Sequence, residues 1–98
     1  MRLVNLISPE DLIDYAQRAM LDSIKHMEVP QVPHLLYNQV LEGSDKQERQ
    51  RYDEMCNCID VSMPSAVVYY DKGITSNMSK RIKFIKELGK PIEMRSIQ

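Results

Sequence analysis

The chain has 98 residues, 43% of them apolar and 28% charged, with a net charge of −1, the balance of one soluble domain with a small core. No apolar run approaches the roughly 18 residues that a membrane crossing needs, and Met1–Ile7 is too short for a signal peptide before Glu10 and Asp11, so a cytoplasmic protein is expected. The charge is split: residues 1–71 carry 6 basic and 12 acidic side chains and residues 72–98 carry 7 and 2, which marks either a phosphate-facing surface or a solvated face complementing the acidic half.

In chain order, Arg2–Ile7 (RLVNLI) is an apolar run expected to form a strand. Ser8 suits an N-cap, Pro9 the first helical position, and Asp11 stands three residues after the cap. The spacing of Leu12, Tyr15, Ala16, Ala19, Met20, Ser23, Ile24 and Met27 then predicts a helix over Pro9–Met27. Pro30 and Pro33 disfavour helix and push Val29 and Val32 toward extended backbone. Val29–Pro33 therefore reads as a short edge strand that presents His34.

Leu35–Leu41 reads as a short helix and Glu42–Asp45 as a turn, with Ser44 or Asp45 capping the next helix. Lys46–Val61 is predicted helical, charged at first and then apolar at Tyr52, Met55, Cys56 and Ile59, and Ser62–Ser65 stops it. Ala66–Tyr70 (AVVYY) reads as a buried strand in which Tyr69 and Tyr70 face opposite sides. Thr75 or Ser76 caps a last helix to Leu88, with Met78, Ile82, Ile85 and Leu88 on one face. Gly89 and Pro91 end it, and Ile92–Ile97 is a final strand.

The order β-α-β-α-α-β-α-β predicts a single α/β domain: a small flavodoxin- or Rossmann-like sandwich with about four parallel strands, order 2-1-3-4, and helices on both faces. Ligands of such sheets sit where the strand order reverses. That point would bring Ser8 and Pro9 to Asp71, Gly73, Thr75, Ser76 and Asn77, with His34 nearby.

Each candidate has a plain structural role beside its chemical one. His34 contacts a base or acts as an acid, or else ends a strand and caps a helix. Asp71 meets a ribose hydroxyl or a partner's arginine, or else shapes the turn before Gly73. Ser76 and Asn77 offer hydroxyl, amide and N–H groups to an anion, or else cap a helix. Lys80, Lys83 and Lys86, with Arg81, line the last helix and suit an acidic partner or water. Cys56 and Cys58 point about 200° apart on a helix, so they do not bridge. With only His26 and His34 elsewhere they make a poor metal site, and one or both read as core thiols. Met20, Met27, Met55 and Met78 fall at core-like positions, while Met63 and Met94 could serve an adaptable surface. No metal and no cofactor is expected.

Three stretches carry a resemblance to a known group: V-P-Q-V-P-H-L-L at 29–36 with the charged turn after it at Glu48-Arg49, the run from Met55 through Tyr70, and Gly73-Ile74 through Met78 with L-G-K-P-I at 88–92. On these the chain resembles small phage and bacterial domains of the nucleoside 2-deoxyribosyltransferase-like superfamily. The loop after the first strand keeps Ser8 and Pro9 but has Glu10 where such domains usually carry an aromatic residue. The last helix departs further. The resembled pattern is roughly G-M-x-x-E-I, its glutamate being the nucleophile of the active transferases, and this chain reads Asn77-Met78-Ser79-Lys80-Arg81-Ile82. Covalent glycosyl transfer needs a carboxylate to attack the anomeric carbon. A guanidinium has no acceptor and stays cationic, though it suits phosphate.

The resemblance therefore implies a degenerate member: a non-catalytic binding protein, with an accessory or anti-defence role in a phage or mobile element, that holds a host protein or a nucleotide-type ligand. Its ligand set would be Ser8, His34, Asp71, Gly73, Ser76, Asn77 and Arg81, with Lys80, Lys83 and Lys86 toward a partner; nucleic acid is a lesser candidate. The competing reading is an enzyme acting on a nucleoside N-glycosidic bond through another acid, Asp71 or Glu10. A third is an assembly module that forms homodimers through an edge strand.

Overall fold

The computed structural model describes residues 1–37 and 45–97, with only the backbone of Leu36 and Tyr37. Alternation along RLVNLI builds β1 (Arg2–Ile7), which sends Val4 and Leu6 to one apolar cluster and Ile7 to another. Three short strands join it: β2 (Glu28–Gln31), β3 (Ala66–Tyr69) and β4 (Ile92–Arg95). All pairings are parallel and the order is β2-β1-β3-β4, the expected arrangement. β1 and β3 lie in the middle and read as near-continuous apolar runs because both their faces are covered.

On one face α1 (Ile13–Lys25) packs Tyr15 and Ala19 on Val4, Leu6, Val67 and Tyr69. On the other α4 (Ser76–Glu87) packs Met78 and Ile85 on Ile7, Ala66 and Val68. Between β2 and β3 run α2 (Pro33–Tyr37) and α3 (Lys46–Ser62). α3 starts on a capping box, in which Asp45 accepts from the Glu48 N–H at 2.8 Å and Glu48 accepts from the Asp45 N–H. α4 starts on Thr75, whose hydroxyl accepts from the Met78 N–H. It ends in a Schellman motif: Gly89, at φ +74°, bonds the Lys86 carbonyl and Lys90 bonds that of Ile85. The Lys90 ammonium then reaches the carbonyls of Asp60, Val61 and Met63 at the end of α3, where a cation also suits the helix dipole.

Several boundaries differ from the sequence reading. α1 begins at Ile13, not Pro9, and has no side-chain cap; the Ser8 hydroxyl is taken by His34. β2 begins one residue early because Glu28 is drawn inward. Its carboxylate accepts from Arg2 (2.6 Å), Arg95 (2.8 and 3.0 Å) and Ser23 (2.7 Å). The Arg95 bonds, then those of Arg2 and Ser23, hold Glu28 down to a pKa of about 2 against the cost of burial. Arg95 also lies over the Tyr69 ring, 5.6 Å from its centroid, and Tyr69 donates to Asp22 at 2.8 Å.

Met27 is exposed at φ +63° in the turn between α1 and β2, not in the core. Tyr70 lies just beyond β3 and is half-exposed, whereas Tyr69 is fully buried. β4 stops at Arg95 because Ser96 and Ile97 turn aside to Asp71. Cys58 is exposed and Cys56 only partly buried, so of the one or two core thiols expected there is one half-covered side chain. The expected helix over Leu35–Leu41 is seen as α2 to Tyr37, starting earlier at Pro33. The rest of it, and the Glu42–Ser44 part of the turn, lie outside the described residues.

Candidate functional site

A cavity of about 200 Å³ opens beyond the carboxyl ends of β1, β2 and β3, at the reversal of strand order where open α/β sheets bind ligands. Its floor comes from the strand exits. Ser8 directly follows β1, Glu10 lies two residues on, and His34 stands in the first turn of α2. One wall is α3, where Tyr52, Asp53, Cys56 and Asn57 recur at i, i+1, i+4, i+5 and so share a face. The other is the first half of α4, through Asn77, Lys80 and Arg81.

Arg81 does not stand free. Its Nη2 donates to Asp60 at 2.7 Å and to the Asn5 side-chain carbonyl at 2.9 Å, and its Nε faces both Asp60 oxygens at 3.3 Å. Asn5 donates in turn to Asp60 at 2.6 Å. The Asp60 side chain is fully buried and that of Arg81 is 18% exposed. Buried carboxylates persist when paired in this way. The closed triad joins β1, α3 and α4 beneath the cavity and leaves Arg81 Nη1 without a hydrogen bond among the described residues.

Ser8 and His34 form a second pair, with Oγ and Nε2 3.0 Å apart and both residues at least 96% buried. Burial, and then the Arg81 charge, push His34 down to a pKa of about 4, so the ring is neutral at pH 7. Its other nitrogen, Nδ1, has no hydrogen-bond partner among the described residues. Glu10 accepts from the Thr75 hydroxyl at 3.2 Å, which ties the loop after β1 to the cap of α4. Burial raises the Cys56 thiol above its ordinary value, so it remains a protonated packing group rather than a nucleophile.

Of the residues singled out from sequence, the cavity brings together Ser8, His34, Asn77, Lys80 and Arg81. Three others stand elsewhere. Asp71 is a clamp: it accepts from Tyr15 at 2.6 Å, from Ser96 and from the Ile97 N–H at 2.9 Å. Those bonds, that of Ser96 first, lower its pKa. Gly73, at φ +92°, closes a turn on the Tyr70 carbonyl. Ser76 is exposed in the first turn of α4, where Thr75 does the capping. The lysines divide. Lys80 joins the cavity, while Lys83 and Lys86 border a separate groove beside Ile82.

The residues that sequence reasoning passes over as site residues are Tyr52, Asp53, Cys56 and Asn57. Their helical spacing is the available signal, masked by the charge of their neighbours. Among the described residues no three His, Cys, Asp or Glu side chains gather as a metal site, and no helix is long and apolar enough to cross a membrane.

No curated protein and no solved structure matches this chain. A family profile described as a domain of unknown function (DUF7768) spans residues 7–95, nearly the whole chain and every cavity-lining side chain, and the chain belongs to that family.

Proposed function

We propose that this protein is a non-catalytic binding protein that holds a nucleotide-type ligand at the carboxyl end of its sheet. The observation that supports the reading is a concave site with polar atoms left over. His34 and Arg81 line it, each keeping one nitrogen, Nδ1 and Nη1, without a partner among the described residues, and an unmet buried polar atom costs about 1–3 kcal/mol until something fills it. A protein partner is the other occupant, but a recessed cavity with several polar side chains in its lining suits a small ligand better than a flat contact. The resemblance to deoxyribosyltransferase-like domains, with Arg81 in place of the nucleophile, supports binding without catalysis, and with it a cytoplasmic accessory or anti-defence role.

Glycosyl chemistry has less support. Arg81 stands in the place of the expected nucleophile, and Asp71 is engaged by three partners away from the cavity. Glu10 alone among the proposed acids lines the site. The test is a thermal-shift and calorimetric screen of the purified chain against nucleosides, nucleotides and nicotinamide nucleotides. At least one should stabilise the wild-type protein and lose at least tenfold in affinity in Asn77→Ala. No binding by any of them removes the reading. Turnover of a nucleoside that vanishes in Glu10→Gln replaces it with the enzymatic one.

A further inference from the structure

We infer that this site takes an uncharged ligand in preference to its phosphorylated form. The inference rests on the binding reading above and names its ligand class; the phosphate affinity that Arg81 suggests from sequence is reversed by its surroundings. Arg81 brings a guanidinium to the α4 wall of the cavity, but Asp60 cancels its charge at 2.7 Å. At that range the pair acts on the cavity as a dipole, not as a net cation. His34, on the floor, is buried beside Ser8 with no acid against it.

The remaining charges are Glu10, Asp53 and Lys80. Two acids against one cation give the walls a net negative charge, and the Lys80 ammonium makes no ion pair among the described residues. A dianionic phosphate would meet repulsion with a single flexible cation to offset it. Hydroxyls and ring nitrogens would instead meet the side chains of His34, Asn57, Asn77 and the Asp60-paired Arg81, which are neutral or neutralised donors and acceptors. Specificity of this kind comes from what the site repels as much as from what it attracts.

The experiment compares adenosine with adenosine 5′-monophosphate, and cytidine with its 5′-monophosphate, by calorimetry at low salt, with inorganic phosphate as a third probe. At least one nucleoside should bind tenfold or more tightly than its monophosphate, with no heat from phosphate alone. In the double variant Glu10→Gln/Asp53→Asn the ratio should narrow to about threefold or less, because repulsion and not size sets it. A monophosphate that binds as well as its nucleoside, or a ratio unmoved in the double variant, overturns this inference and leaves the binding reading intact. Binding by neither member of either pair overturns the inference, and the nucleotide-type reading falls with it when the wider screen of nucleosides, nucleotides and nicotinamide nucleotides is empty as well.

Discussion

Two buried acids organise this small domain, and they are used differently. Glu28, on the α1 side, is saturated: two arginines and a serine fill its oxygens, and Arg95 reaches on to Tyr69. Asp60, under the cavity, is satisfied as fully by Asn5 and Arg81, but its arginine lines the cavity and keeps one nitrogen without a hydrogen bond among the described residues. The same ion-pair chemistry makes a strut in one place and a floor in the other. What separates them is whether the pair borders a cavity, since a site needs atoms that the fold has not already used.

That contrast can be broken from either side. The largest effect is expected at the strut. Glu28→Leu leaves Arg95, whose side chain is only 10% exposed, with Glu93 and the Tyr69 hydroxyl as its remaining partners, and should cost about 3 kcal/mol in urea unfolding, with no change in ligand affinity. Asp60→Asn comes next. It should cost about 2 kcal/mol and, unlike the Glu28 change, should create phosphate binding detectable by calorimetry, because Arg81 then faces the cavity with its charge uncancelled. If both variants leave phosphate affinity at zero, the distinction between strut and floor fails.

The last test is the pH dependence. Both His34 and Glu28 have folded pKa values below their unfolded ones, about 4 against 6.5 and about 2 against 4.5. Each therefore gives stability that is complete above the unfolded value and lost as pH falls toward the folded one. A melting-temperature profile should decline in two windows, pH 6.5 to 4 from His34 and 4.5 to 2 from Glu28. His34→Gln should flatten the first window alone.

The layered order, the parallel pairing and most element centres are legible in the sequence because local signals agree with the fold. Proline and glycine punctuation, the Asp45 and Thr75 caps and the AVVY run all point one way. What escapes are pairings between residues distant in sequence. Nothing near Ser8 announces that its hydroxyl will meet His34, 26 residues away, so it reads as a cap. Nothing near Arg81 announces Asp60, and a guanidinium read alone looks like a phosphate ligand. Asp71 is misjudged for the same reason: its partners lie 56 residues upstream and 25 downstream. The α3 wall is hidden otherwise, because a helix rich in charge reads as solvated until its inner stripe is seen against α4.

The left-handed residue at position 27 governs how Glu28 comes to meet Arg2. Through it the chain leaves α1 and enters β2 within two residues, His26 and Met27, so that Glu28 arrives directly opposite Arg2. Side chains alternate along a strand, so one extra amino acid in that bend would turn Glu28 outward and Val29 inward. The phase of an entire edge of the sheet is thus set by a connection only two residues long. Length variation among relatives should be scarce there and tolerated far more readily in longer connections.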